Sequence, residues 1–222
     1  MQSDQAGNQG SKYRPYILQA LSRFGYPLPV ELMEAIISIE SGGVPGLVNP
    51  KSGATGLGQV MPVVVRDYNK ATGEQITMQD LRGQDQQSIS DQISISVWVA
   101  GRFWRSAYNY LVRRRDTVPI DELTKIADLF YVAGPGATKK KLEKVSVPTF
   151  EQLEKAFPKW NAFRHVHRLL KRIPENTQWQ LASISEWLHG PGIVNKLQRD
   201  PKLAGLIGVF ALLAGSYLFF RR

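Results

Sequence analysis

Apolar residues recur at three- and four-residue steps along most of the chain after residue 12, which is the period of an amphipathic α-helix. The longest such pattern joins Ile89, Ile93, Val97, Ala100, Trp104, Ala107 and Leu111. No run shows the alternation of a half-buried strand, so the predicted fold class is mainly α. Helices are predicted over residues 13–24, 29–40, 63–72, 88–114, 120–133, 150–157, 160–173 and 177–189.

The two ends of the chain differ from its middle. Residues 1–12 are rich in Gln, Asn, Gly and Ser, which is typical of a disordered tail, and they lack the basic-then-apolar order of a secretory signal. At the other end no charged residue lies between Leu203 and Phe220. A helix over 203–220 would span about 27 Å, close to the ~30 Å hydrocarbon core of a bilayer. We therefore predict a transmembrane helix there, with a buried core helix as the alternative.

A single acidic residue stands at the end of the second predicted helix. Glu40 follows Ile36 and Ile37 by four and three residues, which places it on the apolar face of that helix. No other acidic residue occurs over residues 41–66. A carboxyl group held against apolar surface is costly to ionise and tends to retain its proton, as a general acid must. The alternative is a glutamate that only reaches solvent at the helix end or pairs with an arginine.

Three segments resemble the motifs of lytic transglycosylases of the soluble-transglycosylase type, relatives of goose-type lysozyme. The family motif Glu-Ser at a helix end is matched by Glu40-Ser41. The motif Gly-Leu-Met-Gln followed by hydrophobic-Met-Pro is matched by residues 56–62, and Ala-Tyr-Asn-Ala-Gly-Pro-Gly is matched by residues 130–136. Three motifs in the right order are more specific than any one of them. The resemblance implies a lysozyme-like catalytic domain.

The resemblance also implies which residues form the site. Glu40 and Tyr131 would be the catalytic residues, with the Tyr131 hydroxyl hydrogen-bonded to Glu40. Gly58 stands where the family carries Met, and Val132 where it carries Asn; both departures concern contacts with the substrate. The implied substrate-binding positions are Ser41, Asn49, Gly56, Leu57, Gln59, Met61, Ala133 and Gly134.

Enzymes of this type cleave the β-1,4 bond between N-acetylmuramic acid and N-acetylglucosamine in peptidoglycan and close a 1,6-anhydro ring. One carboxylic acid suffices for that reaction, whereas an ordinary glycosidase uses two. The next acidic residue after Glu40 is Asp67, which matches no motif. The resemblance therefore implies a lyase acting on peptidoglycan. A hydrolytic muramidase, a peptide-bond hydrolase on the same fold and a non-catalytic wall-binding or virion membrane structural protein remain as alternatives.

Composition and charge add few constraints. The chain of 222 residues has no cysteine, which excludes disulfides and thiolate metal sites. His165 and His167 are two residues apart and so are not neighbours on a helix; we expect no metal and no cofactor. The net charge of +9 suits an anionic partner such as peptidoglycan or lipid headgroups. No base-reading motif accompanies the charge, so sequence-specific nucleic-acid binding is not expected.

The predicted order along the chain is a disordered tail (1–12), a catalytic domain (13–148), a helical extension (149–200) and a transmembrane helix (203–220). A catalytic domain without a secretory signal and with a span at its C-terminus indicates a tail-anchored, single-pass membrane protein. We expect a phage enzyme in the internal membrane of a virion, which opens the cell wall locally during genome entry or lysis. An enzyme of the bacterial cell envelope is the alternative, and the sequence does not indicate the oligomeric state.

Overall fold

The computed structural model describes residues 10–115, 118–174 and 177. In this part the chain forms two 3-10 turns, Ser11–Tyr13 and Asp80–Arg82, and eight α-helices. The helices are α1 (Arg14–Phe24), α2 (Val30–Glu40), α3 (Pro62–Thr72), α4 (Gln86–Leu111), α5 (Ile120–Ala133), α6 (Pro135–Leu142), α7 (Phe150–Ala156) and α8 (Ala162–Leu170).

The mainly α class is confirmed for the described residues. Seven predicted helices are present, with ends within three residues of those expected. One observed helix, α6, has no counterpart in the prediction, because Gly134-Pro135-Gly136 is expected only to end α5. The segment does end α5, but proline also fits the first turn of a helix, and Pro135 starts α6 directly. Extended pairing in the described part is limited to two isolated bridges, Val48 with Thr55 and Thr55 with Val60.

Several predictions concern residues outside the described part. The helix over 177–189 and the transmembrane helix over 203–220 both fall there. Within the described residues, no helix combines the length and the apolar character needed to cross a bilayer. Residues 10–12 of the predicted disordered tail belong to the described fold. Gly10 packs on the backbone of Glu34, and residues 11 and 12 begin the first 3-10 turn.

Helix α4 is the central element of the described fold. It packs against α1, α3 and α5, and its middle is therefore buried on nearly every side. Trp98 and Trp104 lie in this buried stretch. Gly101 allows the ring of Tyr26 to approach, since a Cβ atom there would lie 2.3 Å from the ring. A helix surrounded in this way explains why its sequence is apolar or small over so many consecutive positions.

Helices α7 and α8 belong to the same compact unit, Met1–Gln180, as the catalytic domain predicted to end at residue 148. Helix α8 packs against α5 and against α2, and α7 packs against α5. The face of α8 that is buried in this packing carries Ala162, Phe163, His165, Val166 and Leu169. A segment expected as an extension therefore contributes a buried helix beside the end of α2.

Candidate active site

The candidate site is built around the last residue of α2. The buried part of this helix ends at Ile37, and the side chain of Glu40 is 20% exposed. The chain turns at Ser41, whose hydroxyl donates to the carbonyl of Ile37 and accepts from the amide N–H of Gly43. Glu40 thus lies at the boundary between the core and the surface, on a helix end whose turn is closed by its own side-chain hydrogen bonds.

A histidine and a second carboxylate approach Glu40 from two other helices. Nε2 of His165 on α8 lies 3.1 Å from Oε1 of Glu40, and Nδ1 lies 2.8 Å from Oδ2 of Asp128 on α5. The contact with Asp128 has hydrogen-bond geometry, whereas the Nε2 contact with Glu40 is close but not aligned as a hydrogen bond. Asp128 is fully buried and the His165 side chain is 8% exposed. Of these three groups, Glu40 is the one that reaches solvent appreciably.

Burial and the neighbouring charges shift the pKa values of Asp128 and His165 in opposite directions. Burial lowers the pKa of His165, but its contacts with Asp128 and Glu40 outweigh burial and raise that pKa to about 9. Burial raises the pKa of Asp128, and the hydrogen bond from His165 opposes that change. Because both ring nitrogens face carboxylate oxygens, the doubly protonated imidazolium fits the geometry. His165 is therefore a buried cation near neutral pH.

The sequence contains a signal for this cluster that motif comparison overlooks. Asp128 is an acidic residue within an apolar stretch of α5, and buried acids are rare unless they are paired. His165 is spaced from Ala162 and Leu169 by three and four residues, on the apolar face of α8. The prediction considered this histidine only as a metal ligand. Among the described residues no group of three His, Asp or Glu side chains is arranged to hold a metal ion.

Tyr131 does not make the hydrogen bond predicted for it. Its hydroxyl donates to the carbonyl oxygen of Gly58 at 2.8 Å, and no hydrogen bond to Glu40 is present among the described residues. Burial raises the pKa of Tyr131 well above its ordinary value, so the phenol keeps its proton and remains a donor. The predicted contact is therefore wrong. Tyr131 connects α5 to the glycine-rich loop, which comprises residues 41–61 between α2 and α3. Its catalytic role stays a prediction.

Gly58 is a position where the backbone has no room for a side chain. A Cβ atom there would lie 2.1 Å from Oγ of Ser96 and 3.0 Å from the hydroxyl oxygen of Tyr131. Ser96 is fully buried on α4, and its hydroxyl donates to the carbonyl of Gln92 at 2.6 Å. The departure from the family's Met is thus accompanied by a serine and a tyrosine that pack directly on the main chain of the loop.

Gln92 of α4 holds the loop from the core side. Its Oε1 accepts the amide N–H groups of Gly46 and Leu57 at 3.1 and 3.0 Å. Its Nε2 donates to the carbonyl of Gly83 at 2.9 Å. This buried side chain therefore satisfies three backbone groups that loops would otherwise leave to water. No motif identifies Gln92, and sequence reasoning missed it.

Gln59 holds the same loop from within. Its Nε2 donates to the carbonyls of Leu47 and Gly56, each at 3.0 Å. Among the described residues it is the one non-glycine residue with a positive φ, at 47°, where L-residues are uncommon. The predicted sugar-binding role stays a prediction, but in this structure the amide nitrogen is already engaged with the backbone.

Two predicted substrate-binding side chains point into the protein. Leu57 is fully buried, and its N–H is bound by Gln92. Ser41 is also buried, with its hydroxyl engaged by the backbone of the α2 turn. Both side chains are thus engaged inside the protein in this structure, and their substrate-binding role stays a prediction.

The other predicted positions are more accessible. Met61 is 39% exposed at the start of α3. Asn49 is exposed, and its Oδ1 accepts two backbone N–H groups that follow it in a turn. Ala133 and Gly134 are half-buried at the junction of α5 and α6, where Gly134 has a positive φ of 80°. These positions can contact a ligand without rearrangement of the core.

Comparison with known proteins agrees with this fold. Residues 16–90 match the family model described as Transglycosylase SLT domain. The structure is similar to the X-ray structure of an inactive glutamate-to-glutamine mutant of the lytic transglycosylase Slt from Pseudomonas aeruginosa, with 18% identity and a TM-score of 0.54. The match covers 72% of this chain and 23% of that one, so this chain spans less than a quarter of that enzyme. No curated protein sequence matches significantly.

The chain therefore has a mainly helical, lysozyme-like SLT fold. The resemblance seen in the motifs is confirmed over residues 16–90, which include Glu40 and the glycine-rich loop. Asp128, Tyr131 and His165 lie beyond the matched range and rest on the geometry of this structure.

Replacing Gly58 by alanine should displace the loop. The added methyl group would overlap Ser96, and relieving the overlap would move the Gly58 carbonyl away from Tyr131; overpacking of this kind costs about 1–3 kcal/mol. Chemical denaturation of Gly58→Ala measures this loss. Gly136→Ala is the matched control, because a Cβ atom there meets nothing within 4 Å. Equal stabilities of the two variants would contradict the packing described for Gly58.

The charge on His165 should make the stability of the fold depend on pH. A folded-state pKa of about 9 against the ordinary 6.5 means that the stabilisation is complete below pH 6.5 and is lost as the pH rises through 9. The expected loss is on the order of 3 kcal/mol. Denaturant unfolding between pH 6 and 10 measures this loss of stability. The ionic strength is kept constant so that the screening of charges is the same at every pH. The same slope in His165→Gln would show that another group is responsible.

Proposed function

We propose that this protein is a peptidoglycan lytic transglycosylase in which Glu40 acts as the single acid and base. The observation that carries the proposal is the different exposure of the two clustered carboxyl groups. Glu40 reaches solvent at the end of α2, whereas Asp128 is fully buried behind His165. Only one of them is therefore placed to exchange a proton with a polymer outside the protein.

The other glutamates of α2 are engaged elsewhere. Arg14 binds Glu31 at 2.7 Å and Glu34 at 2.8 Å. Both pairs belong to the contact between α1 and α2, at the opposite end of the helix from the glycine-rich loop. Glu40 is thus the glutamate of this helix that adjoins the loop matched by the SLT family model.

The reaction needs no second carboxylate and consumes no water. Glu40 gives its proton to the oxygen that leaves as the 4-hydroxyl of N-acetylglucosamine, while the bond from that oxygen to C1 of N-acetylmuramic acid breaks with assistance from the 2-acetamido group. The muramoyl O6 then bonds to C1, and its proton passes to the Glu40 carboxylate. The ring closes as a 1,6-anhydro sugar, and Glu40 regains its starting form.

The loop after Glu40 offers a surface for such a polymer. Its exposed apolar side chains are unusual in number for one short segment, and exposed apolar surface commonly marks a binding site. Gly56 itself is buried, and the space beside its Cα is filled by the side chain of Gln92, so the exposed surface of the loop is formed by its apolar side chains. The exposed residues are Val44, Leu47, Val48 and Met61 in the loop, followed by Val63 in the first turn of α3.

Full-length protein incubated with purified peptidoglycan should release 1,6-anhydromuropeptides, detected by mass spectrometry. Glu40→Gln should lower the rate by at least about 10²-fold, since the amide cannot supply the proton. Glu31→Gln is the matched control on the same helix and should retain activity.

Other products would identify another function. Reducing-end muropeptides would indicate a hydrolytic muramidase, and cleaved stem peptides a peptidase. Binding to the wall without turnover would favour a structural protein. Undiminished activity of Glu40→Gln would exclude the assigned acid.

We further propose that the activity is tethered to a membrane, in a virion or in a bacterial envelope, and opens the wall beside it. Support comes from the charge-free stretch between Leu203 and Phe220 and its basic flanks. Full-length protein should float with lipid vesicles in a density gradient, and a variant lacking residues 203–220 should not. Equal flotation of both would contradict the anchor.

A further inference from the structure

His165 contacts Glu40 on one side and Asp128 on the other. We propose that His165 and Asp128 are a positioning pair for Glu40: Asp128 holds the imidazolium of His165 in place, and the imidazolium stabilises the carboxylate that Glu40 becomes between its two proton transfers. This inference rests on the proposed function and assigns a role to two residues outside the three motifs.

The geometry gives each ring nitrogen of His165 a separate partner. Nδ1 is hydrogen-bonded to Asp128 at 2.8 Å, and this bond sets the plane of the ring. Nε2 then faces Oε1 of Glu40 at 3.1 Å. Because the contact involves Oε1, the other oxygen of Glu40 is left to exchange the proton with the glycan. The pair thus determines which oxygen of the acid is used.

Stability alone does not account for this arrangement. Removing a carboxylate from water is costly, and well-packed apolar residues often replace a buried ion pair without loss. The pair adds to that cost, because Oδ1 of Asp128 and Nε2 of His165 are both buried without a hydrogen-bond partner in the described structure. A buried, incompletely satisfied carboxylate beside a candidate acid is the arrangement that functional sites retain.

Two other ionisable side chains near the pair, Arg168 and Tyr131, do not supply the same contact. Arg168 lies one turn further along α8 and acts on Asp128 only through its charge. Tyr131 lies one turn further along α5, but its hydroxyl is bound to Gly58. His165 is therefore the cation in contact with Glu40.

The change in charge of Glu40 during the proposed reaction favours a neighbour, His165, that remains a cation throughout. When Glu40 gives up its proton, a neutral acid becomes an anion 3.1 Å from Nε2 of His165. A fixed charge aimed at a group whose charge develops during the reaction lowers the barrier, because nothing has to reorganise at that moment. When the carboxylate takes the proton from the muramoyl O6, the starting charges return. His165 keeps both its protons throughout.

A kinetic test uses full-length protein and a soluble oligomer of alternating N-acetylglucosamine and N-acetylmuramic acid. His165→Gln and Asp128→Asn should each lower kcat by on the order of tenfold or more, part of the ~10²–10⁴ that a positioned acid and base contributes. KM should stay nearly unchanged, since neither residue faces the glycan. The double variant should be little slower than the slower single variant, because the two residues act as one unit.

The matched control is His167→Gln, on the same helix. His167 is exposed and contacts Glu154 at 2.6 Å, so its replacement should leave kcat unchanged. Circular dichroism of each variant checks that it is folded. Wild-type kcat in both His165→Gln and Asp128→Asn would overturn the inference. An inactive wild-type protein would instead overturn the proposed function.

A spectroscopic test is independent of activity. Imidazole NMR of the full-length protein resolves only three histidines, at 165, 167 and 189, and His167→Gln assigns one of them. The wild-type His165 should stay protonated to a pH near its pKa of about 9, and Asp128→Asn or Glu40→Gln should lower that pKa by about 1–3. Titration of His165 near 6.5 in the wild-type protein would overturn the inference even if Asp128→Asn fails to fold.

Discussion

The buried carboxylate of Asp128 is the constraint on which the site depends. A negative charge that lies fully inside the protein requires a cation, and the one in contact with it is His165 of α8. Helix α8 must therefore pack against α5 in a fixed register, and the same register brings His165 to the end of α2. One desolvated charge thus joins three helices and places a cation beside the acid that the sequence motifs indicate.

A second set of contacts positions the loop that follows that acid in the chain. Gln92 of α4 binds the loop at Gly46 and Leu57, and Tyr131 of α5 binds it at Gly58. Both side chains come from helices that are themselves buried, so the loop takes its shape from the core rather than from regular pairing of its own. The two sets share α5, which carries Asp128 and Tyr131 three residues apart and hence on one face. Movement of this helix would alter the acid and the loop together.

The sequence predicts the helices well because their signal is local. An apolar period within α5 or α8 depends only on nearby residues, and the predicted ends agree with the structure to within three residues. Glu40 and the glycine-rich loop could be named for the same reason, since their motifs are contiguous. The pairing of Asp128 with His165 spans 37 residues and depends on how α8 packs against α5, which no local sequence pattern predicts. The hydrogen bond of Tyr131 was misassigned because the motif names the residue but not the partner its hydroxyl reaches.

Gly58 and His165 both affect which side chains contact Glu40. With Gly58, the main chain of the loop comes close enough for Tyr131 to bind its carbonyl, and that phenol is then used as a donor to the loop. Glu40 consequently lacks the tyrosine contact implied by the family resemblance. His165 occupies the side of Glu40 that faces the core, and it differs from a phenol in carrying a full positive charge that Asp128 maintains. A neutral donor can orient either form of an acid, whereas a cation favours the ionised form. In the proposed reaction, this partner would stabilise the carboxylate that Glu40 becomes between its two proton transfers.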